Sequence, residues 1–232
     1  MKINQNYFNY LFPPTCILCG DKGEQDNDLC TACYNDLALN KPRCYRCASD
    51  FDAPNLASGL CPVCTLNPPA FDETFAPFAH SHAIRHLVLR LKFHNHSPSA
   101  RLLGTLLATY VKKTTELPDC LIPVPLHKNR YRERGFNQSI EIAKIVSKTL
   151  NIPLDTKSCI RHRDTAHQVG LNGYERIENM KNAFSVHPTF QATHVAIIDD
   201  VMTTGSTVQH LAMALKTAGC HRIQVWACSR AR

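Results

Sequence analysis

Two stretches of this 232-residue chain hold residues whose types and spacing could do chemistry. The first is a run of cysteine pairs: Cys16-x2-Cys19, Cys30-x2-Cys33, Cys44-x2-Cys47 and Cys61-x2-Cys64. Two cysteines three apart form a knuckle that turns both sulfurs toward one ion, and a second knuckle completes a tetrahedral four-thiolate site. Sequential pairing gives the sites Cys16/Cys19/Cys30/Cys33 and Cys44/Cys47/Cys61/Cys64. An interleaved arrangement, with the first and third pairs sharing an ion, is the alternative. Zinc suits this ligand set, against iron–sulfur ligation or chance clustering. With every coordination position filled by protein, the two ions would be structural. A segment of ~70 residues with few aliphatic side chains barely folds without such staples. A grip on nucleic acid or on a partner is the second reading of the same module.

The other stretch is Val195-Ala196-Ile197-Ile198-Asp199-Asp200-Val201-Met202-Thr203-Thr204-Gly205-Ser206-Thr207. An apolar run of parallel-strand type delivers two adjacent carboxylates to its carboxyl end. A hydroxyl-rich loop follows, and then a helix begins. Ligands of open parallel sheets bind at that edge. Backbone N–H groups of the loop and helix start converge there, which suits a phosphate. Gly205 allows close backbone approach, and Thr203, Thr204, Ser206 and Thr207 add hydroxyl donors. Asp199 and Asp200 cannot bind a phosphate themselves; they are placed to hold the hydroxyls of an attached sugar, or a metal ion. Helix capping alone would explain one acid and one hydroxyl and leave the rest without a role.

The elements needed to position these groups can be read from periodicity. Ile84, Leu87, Val88 and Leu91 recur at helical spacing and predict an amphipathic helix over residues 80–93. Leu102, Leu103, Leu106 and Leu107 predict a second. Cys120-Leu121-Ile122-Pro123-Val124 reads as a strand end, and Ile140, Ala143, Ile145 and Val146 as a helix that stops before Pro153. A strand is expected near 157–160, a helix over 206–218 stopped by Gly219, and a closing strand at Ile223-Gln224-Val225-Trp226-Ala227. Helices between strands imply an α/β fold: a parallel sheet with helices on both faces. Eight of the twelve cysteines lie between Cys16 and Cys64, and Leu66-Asn67-Pro68-Pro69-Ala70 breaks the chain. Residues 1–70 should therefore form the cysteine-rich module and 71–232 the sheet domain.

Composition bounds the setting. A 44% hydrophobic content supports a real core, and a net charge of +7 favours anionic partners. The N-terminus lacks the pattern of a secretory signal, and no apolar run reaches the ~18 residues of a membrane span. A cytoplasmic address follows, where thiols stay reduced and clustered cysteines read as metal ligands. The aromatic head Tyr7, Phe8, Tyr10, Leu11 and Phe12 would pack on the ribbon, or dip into the inner face of the cytoplasmic membrane as a peripheral contact. His80, His82, His86, His94 and His96 show no consistent ligand motif and read as surface or capping residues. Arg85, Arg90 and Lys92 read as a solvated helix face, or as part of a nucleic-acid footprint.

The segment Val195–Thr207 resembles the phosphoribosyl pyrophosphate (PRPP) signature of type I phosphoribosyltransferases. Ile122-Pro123-Val124-Pro125-Leu126-His127, Arg130, Arg134-Gly135-Phe136-Asn137-Gln138, Arg161, Gln168, Arg176, Asn179 and Ala183-Phe184, with the cysteine pairs, resemble the ComF family of competence and DNA-utilisation proteins. That family joins a zinc ribbon to a phosphoribosyltransferase-like domain. The resemblance implies that Asp199 and Asp200 hold the ribose hydroxyls and serve any catalysis. Val201 and Met202 would continue the PRPP segment, and Thr203, Thr204, Gly205, Ser206 and Thr207 would cradle the 5-phosphate. Magnesium would accompany PRPP. Arg130 and Arg134, and Arg161 with the loop 161–176, would serve the pyrophosphate, guanidinium forks matching phosphate oxygens; that loop would close as a lid hinged at Gly170 and Gly173. The resemblance also implies single-stranded DNA and the DNA-uptake machinery as partners. Transfer of ribose 5-phosphate to an unidentified acceptor is the alternative activity.

Overall fold

The computed structural model describes residues 15–24, 28–50, 59–163 and 183–231. The aromatic head and most of the 161–176 loop, including Gln168, Gly170, Gly173 and Arg176, lie outside these residues, as does Asn179. The core is a parallel sheet in the order β1 (Glu73–Phe75), β7 (Arg222–Arg230), β6 (His194–Met202), β3 (Cys120–Pro123), with β2 (Phe78–Ala79) also pairing with β7. Every ladder in this sheet is parallel. A separate antiparallel pair joins β4 (Cys159–Arg161) to β5 (Phe184–Val186).

Alternation along the strands builds two layers. Leu121, Ala196, Ile198 and Trp226 turn to one face, where they meet helices α3 (His82–His94), α4 (Ser97–Thr114) and α6 (Gln138–Leu150). Ile122, Val195, Ile197, Val225 and Ala227 turn to the other face and meet Val208, Leu211, Ala212 and Leu215 of α7 (Ser206–Thr217). The expected helices and central strands all form. The expected stripe of α3 (Ile84, Leu87, Val88 and Leu91) is buried, and Asn95 in the left-handed conformation ends the helix. Gly104 brings α4 against α6: a Cβ there would sit 2.7 Å from Ile145 Cβ. Between β3 and α6 runs a short helix, α5 (Lys128–Arg134), closed by Gly135 at φ 78°.

The sheet differs from expectation at its edge. Residues 73–79 supply two short strands, β1 and β2, beside β7, so β7 runs on to Arg230 instead of ending at Ala227. Backbone pairing explains the extension, since Ser229 and Arg230 find partners in Phe78 and Ala79 on one side and in Val201 and Met202 on the other. The cysteine-rich segment leans on the same edge. It carries the short helices α1 (Thr31–Asn35) and α2 (Pro62–Leu66). Its Ala38 carbonyl accepts from Ala79 N at 2.9 Å, and Asn40 N donates to the Pro77 carbonyl at 2.9 Å.

Candidate functional site

The eight paired cysteines gather into two groups, Cys16/Cys19/Cys30/Cys33 and Cys44/Cys47/Cys61/Cys64, with the sulfurs of each group all within 4.8 Å of one another. Pairing is thus sequential, not interleaved. Zinc bound at ~2.3 Å sets tetrahedral sulfurs ~3.8 Å apart. Cys19 and Cys30 Sγ lie 3.7 Å apart, as do Cys47 and Cys61 Sγ. Backbone amides support the same sulfurs: Cys33 N donates to Cys30 Sγ at 3.4 Å and Cys61 N to Cys44 Sγ at 3.3 Å. Both groups fit a zinc ion, which would act by cross-linking each ribbon.

At the carboxyl edge of the sheet stands the acid pair. Asp199 and Asp200 are the sixth and seventh residues of β6. Asp199 Oδ1 accepts from Ser139 Oγ at 3.2 Å and from Asp200 N at 3.0 Å. Burial and the neighbouring Asp200 charge push its carboxyl up to about 8, against the pull of Lys92. Asp200 is 3% exposed. Its Oδ2 lies 2.6 Å from Lys92 Nζ, and Gln138 Nε2 donates to Oδ1 at 3.5 Å. Gln138 in turn accepts from Arg134 at 2.6 Å. A chain of contacts therefore runs from Arg134 through Gln138 to the acid pair, anchored where Asn137 caps α6 and donates to the Val124 carbonyl at 2.9 Å.

The hydroxyl loop follows at once. Thr203 and Thr204 are exposed, and Ser206 and Thr207 are half-buried. Thr204 Oγ1 accepts from Ser206 N at 3.3 Å. Gly205 sits at φ 81°, in the left-handed region that favours glycine, and a Cβ there would meet only the mobile end of Met202, at 2.7 Å from Cε. The loop is gripped from behind by Arg230, whose Nη1 donates to the Met202 carbonyl at 3.0 Å and also to the Thr203 carbonyl. The same guanidinium donates to the Cys47 carbonyl at 3.0 Å and to Ser49 Oγ at 2.8 Å. One side chain thus joins the second cysteine site to the hydroxyl loop.

Not all the expected cations share one place. Arg134 reaches the acid pair through Gln138. Arg161 lies over the Phe184 ring at 5.6 Å and lines a separate cleft with Lys128, Tyr131 and Arg132. Arg130 sits between these residues in sequence but does not line that cleft. His96 is a capping residue, as expected: its ring accepts from Ser99 N at 3.3 Å.

Three participants escaped the sequence reading. Lys92 reads from the sequence as part of a solvated face or a nucleic-acid footprint, yet it lies eight residues after the buried Ile84 and so near the same helical ridge. Ser139 carried no signal of its own. Arg230 could have been found by continuing the period of β7 to the sheet edge where ligands bind.

A family model described as a double zinc ribbon domain matches residues 7–66. Competence protein F of Haemophilus influenzae is 33% identical over 235 residues, covering 97% of this chain and 99% of that protein. DNA utilization protein YhgH of Escherichia coli K12 is 33% identical over 207 residues, covering 87% of this chain and 90% of that protein. Among solved structures, glutamine PRPP amidotransferase from B. subtilis, complexed with ADP and GMP, overlaps 56% of this chain and 26% of its own at 20% identity and a TM-score of 0.41.

Proposed function

Because the chain belongs to the ComF family of competence and DNA-utilisation proteins, we propose that it handles incoming single-stranded DNA, with a phosphoribosyltransferase-like domain that binds PRPP. In this reading residues 1–70 form the zinc-bearing unit and residues 71–232 the sugar-phosphate unit. The observation that carries it is the joint placement of Asp199, Asp200 and the Thr203–Thr207 loop at one sheet edge. Asp199 and Asp200 accept hydrogen bonds from the ribose hydroxyls, and the Thr203–Thr207 amides and hydroxyls hold the 5-phosphate. Arg134 and Arg130 lie on the helix after β3 and serve the pyrophosphate. Magnesium, when bound with PRPP, neutralises pyrophosphate charge. Lys92 and Gln138 fix Asp200 before the ligand arrives, so little reorganisation is needed on binding.

The net charge of +7 suits a strand of phosphates. No helix among the described residues is long and apolar enough to cross a membrane. Action in the cytoplasm, at the inner face of the membrane beside the DNA-uptake machinery, fits the family.

A second reading, transfer of ribose 5-phosphate from PRPP to an acceptor, is favoured by the intact acid pair and loop. Departure of pyrophosphate would leave oxocarbenium character on the sugar, and the ordered carboxylates would stabilise it electrostatically. Calorimetry with PRPP and magnesium tests both readings on the wild type and Asp200→Ala, with melting temperature as the check on folding. Binding lost in the variant supports the PRPP site, and a wild type that ignores PRPP removes it. Pyrophosphate released on adding a nucleobase selects the transferase. An oligonucleotide titration across a salt series tests the DNA reading independently.

A further inference from the structure

Helix α5 carries four cations in seven residues, Lys128, Arg130, Arg132 and Arg134. At 3.6 residues per turn, positions four apart share a face and positions two apart oppose each other. Arg130 and Arg134 therefore lie on one side, and Arg134 is turned to Gln138 and so to the acid pair. Lys128 and Arg132 lie on the other side with Tyr131 nearby. There they line a cleft of about 420 Å³ with Lys157, Ile160 and Arg161. No carboxylate is among its lining residues. Among the described residues, none of Lys128, Arg132 and Lys157 forms an ion pair. Tyr131 and Ile160 are each 50% exposed, an aromatic ring and an aliphatic side chain held in solvent beside unpaired positive charge.

We propose that this cleft is where the protein holds single-stranded DNA, with a base stacked on Tyr131 and packed against Ile160, and the flanking phosphates on Lys128, Arg132 and Lys157. The inference rests on the DNA-handling reading above and adds the surface that performs it. Unpaired bases are recognised by a stacking face within a positively charged groove. The volume falls within the ~300–1,000 Å³ of sites that enclose small ligands, so a splayed base can enter where a stacked, paired one cannot. Because α5 turns opposite faces to the two places, PRPP and DNA occupy the protein together without competing.

Fluorescence anisotropy with a labelled thymidine oligonucleotide tests this on the full chain. The set comprises wild type, Tyr131→Ala, the double variant Lys128→Ala/Arg132→Ala, and Lys112→Ala/Lys113→Ala, exposed on α4, as a control for general charge. Melting temperature and zinc content verify folding. Tyr131→Ala should weaken binding on the order of tenfold, the size of one lost stacking contact. The double variant should lower the slope of log affinity against log salt by about 1.4, the share of two phosphate contacts on a single strand, while the control keeps the cleft's stacking contribution intact. PRPP affinity should stay at the wild-type value in all of them. Wild-type DNA affinity and salt slope in both cleft variants would overturn the inference while leaving DNA handling standing. No binding by wild type would overturn both. Equal affinity for a duplex, lost in the same variants, would overturn the single-strand assignment.

Discussion

The two zinc ribbons share a ligand set but differ in how they meet the rest of the molecule. In the first, Cys19 is exposed and Cys30 and Cys33 are half-buried. Its polar link to the helical layer is the ion pair between Asp28 and Arg101 of α4. In the second, Cys44, Cys61 and Cys64 are buried. Arg43, just before its first ligand, donates to the Thr74 carbonyl at 2.6 Å and to Tyr110 at 3.3 Å, and lies over the Phe75 ring at 5.7 Å. Asn40 donates to the carbonyls of Ala48 and Ala76 at 2.9 and 3.1 Å. Arg230 then ties Cys47 and Ser49 to the hydroxyl loop. The same ligand set thus gives a clasp at the surface in one case and a backing for the hydroxyl loop in the other.

Removing one ligand from each ribbon should break this symmetry most clearly. Cys61→Ser should lose one zinc and weaken PRPP binding by at least about tenfold, or ~1.4 kcal/mol, because Arg230 loses the fixed Cys47 carbonyl. Cys19→Ser should also lose one zinc yet bind PRPP like the wild type. Native mass spectrometry counts the metal and calorimetry reads the ligand. Equal loss of PRPP affinity in the two variants would abolish the distinction. Chelating both ions should unfold residues 1–70 and leave 71–232 folded. A single cooperative transition of the whole chain would show instead that the two units are one.

Arg230→Met sharpens the comparison by cutting the tie while sparing the cysteines. Zinc content should stay at two. Hydrogen bonds to a charged group are each worth about 1.5–3 kcal/mol, so the loop should loosen enough to cost roughly tenfold in PRPP affinity. Unchanged affinity would mean that Gly205 and α7 hold the loop unaided.

The acid pair gives a smaller, pH-dependent effect that should not depend on the first ribbon. The folded Asp199 carboxyl is raised to about 8 by burial and by Asp200. A raised acid favours the folded state most below its unfolded value of ~3.9, and that contribution is lost as pH rises toward 8. Ligand-free Asp199→Asn should therefore melt higher than the wild type near pH 8 and much the same at pH 4, while failing to hold PRPP. Sugar binding through the ionised pair should release protons near neutral pH, visible as a heat that varies with the buffer. Identical melting curves for the two proteins across this range would remove the buried acid from the account.

What could be read from the sequence follows from what each signal depends on. Cysteine spacing encodes the ribbons because both ligands of a knuckle are local, and the structure then selects sequential pairing. The apolar run before Asp199 encodes a buried strand and its helix, since a strand covered on both faces needs no alternation. Lys92, Ser139 and Arg230 are different. Each acts on a group more than 25 residues away in sequence, at Asp200, Asp199 and Met202 respectively, and local pattern carries no such contact. The cations of α5 are legible as a cluster, but their division between two faces depends on tertiary contacts, with Arg134 bonded to Gln138 and Lys128 and Arg132 in the cleft.

The smallest effect belongs to the outer ribbon. Arg101 is 60% exposed and Asp28 21%, so water and salt screen the pair. An exposed ion pair of this kind contributes about 0.2–1 kcal/mol. Arg101→Ala should lower the melting temperature by no more than about 4 °C, by less at high salt, and leave PRPP affinity unchanged. A double-mutant cycle with Asp28→Ala isolates the pair from whatever else either side chain packs against. Cys16, Leu29 and Leu37 of the first ribbon already lie in the apolar cluster with α4, so apolar packing, which salt does not screen, should continue to hold the ribbon in place. A coupling energy well above 1 kcal/mol, insensitive to salt, would show that the first ribbon is as firmly built into the molecule as the second.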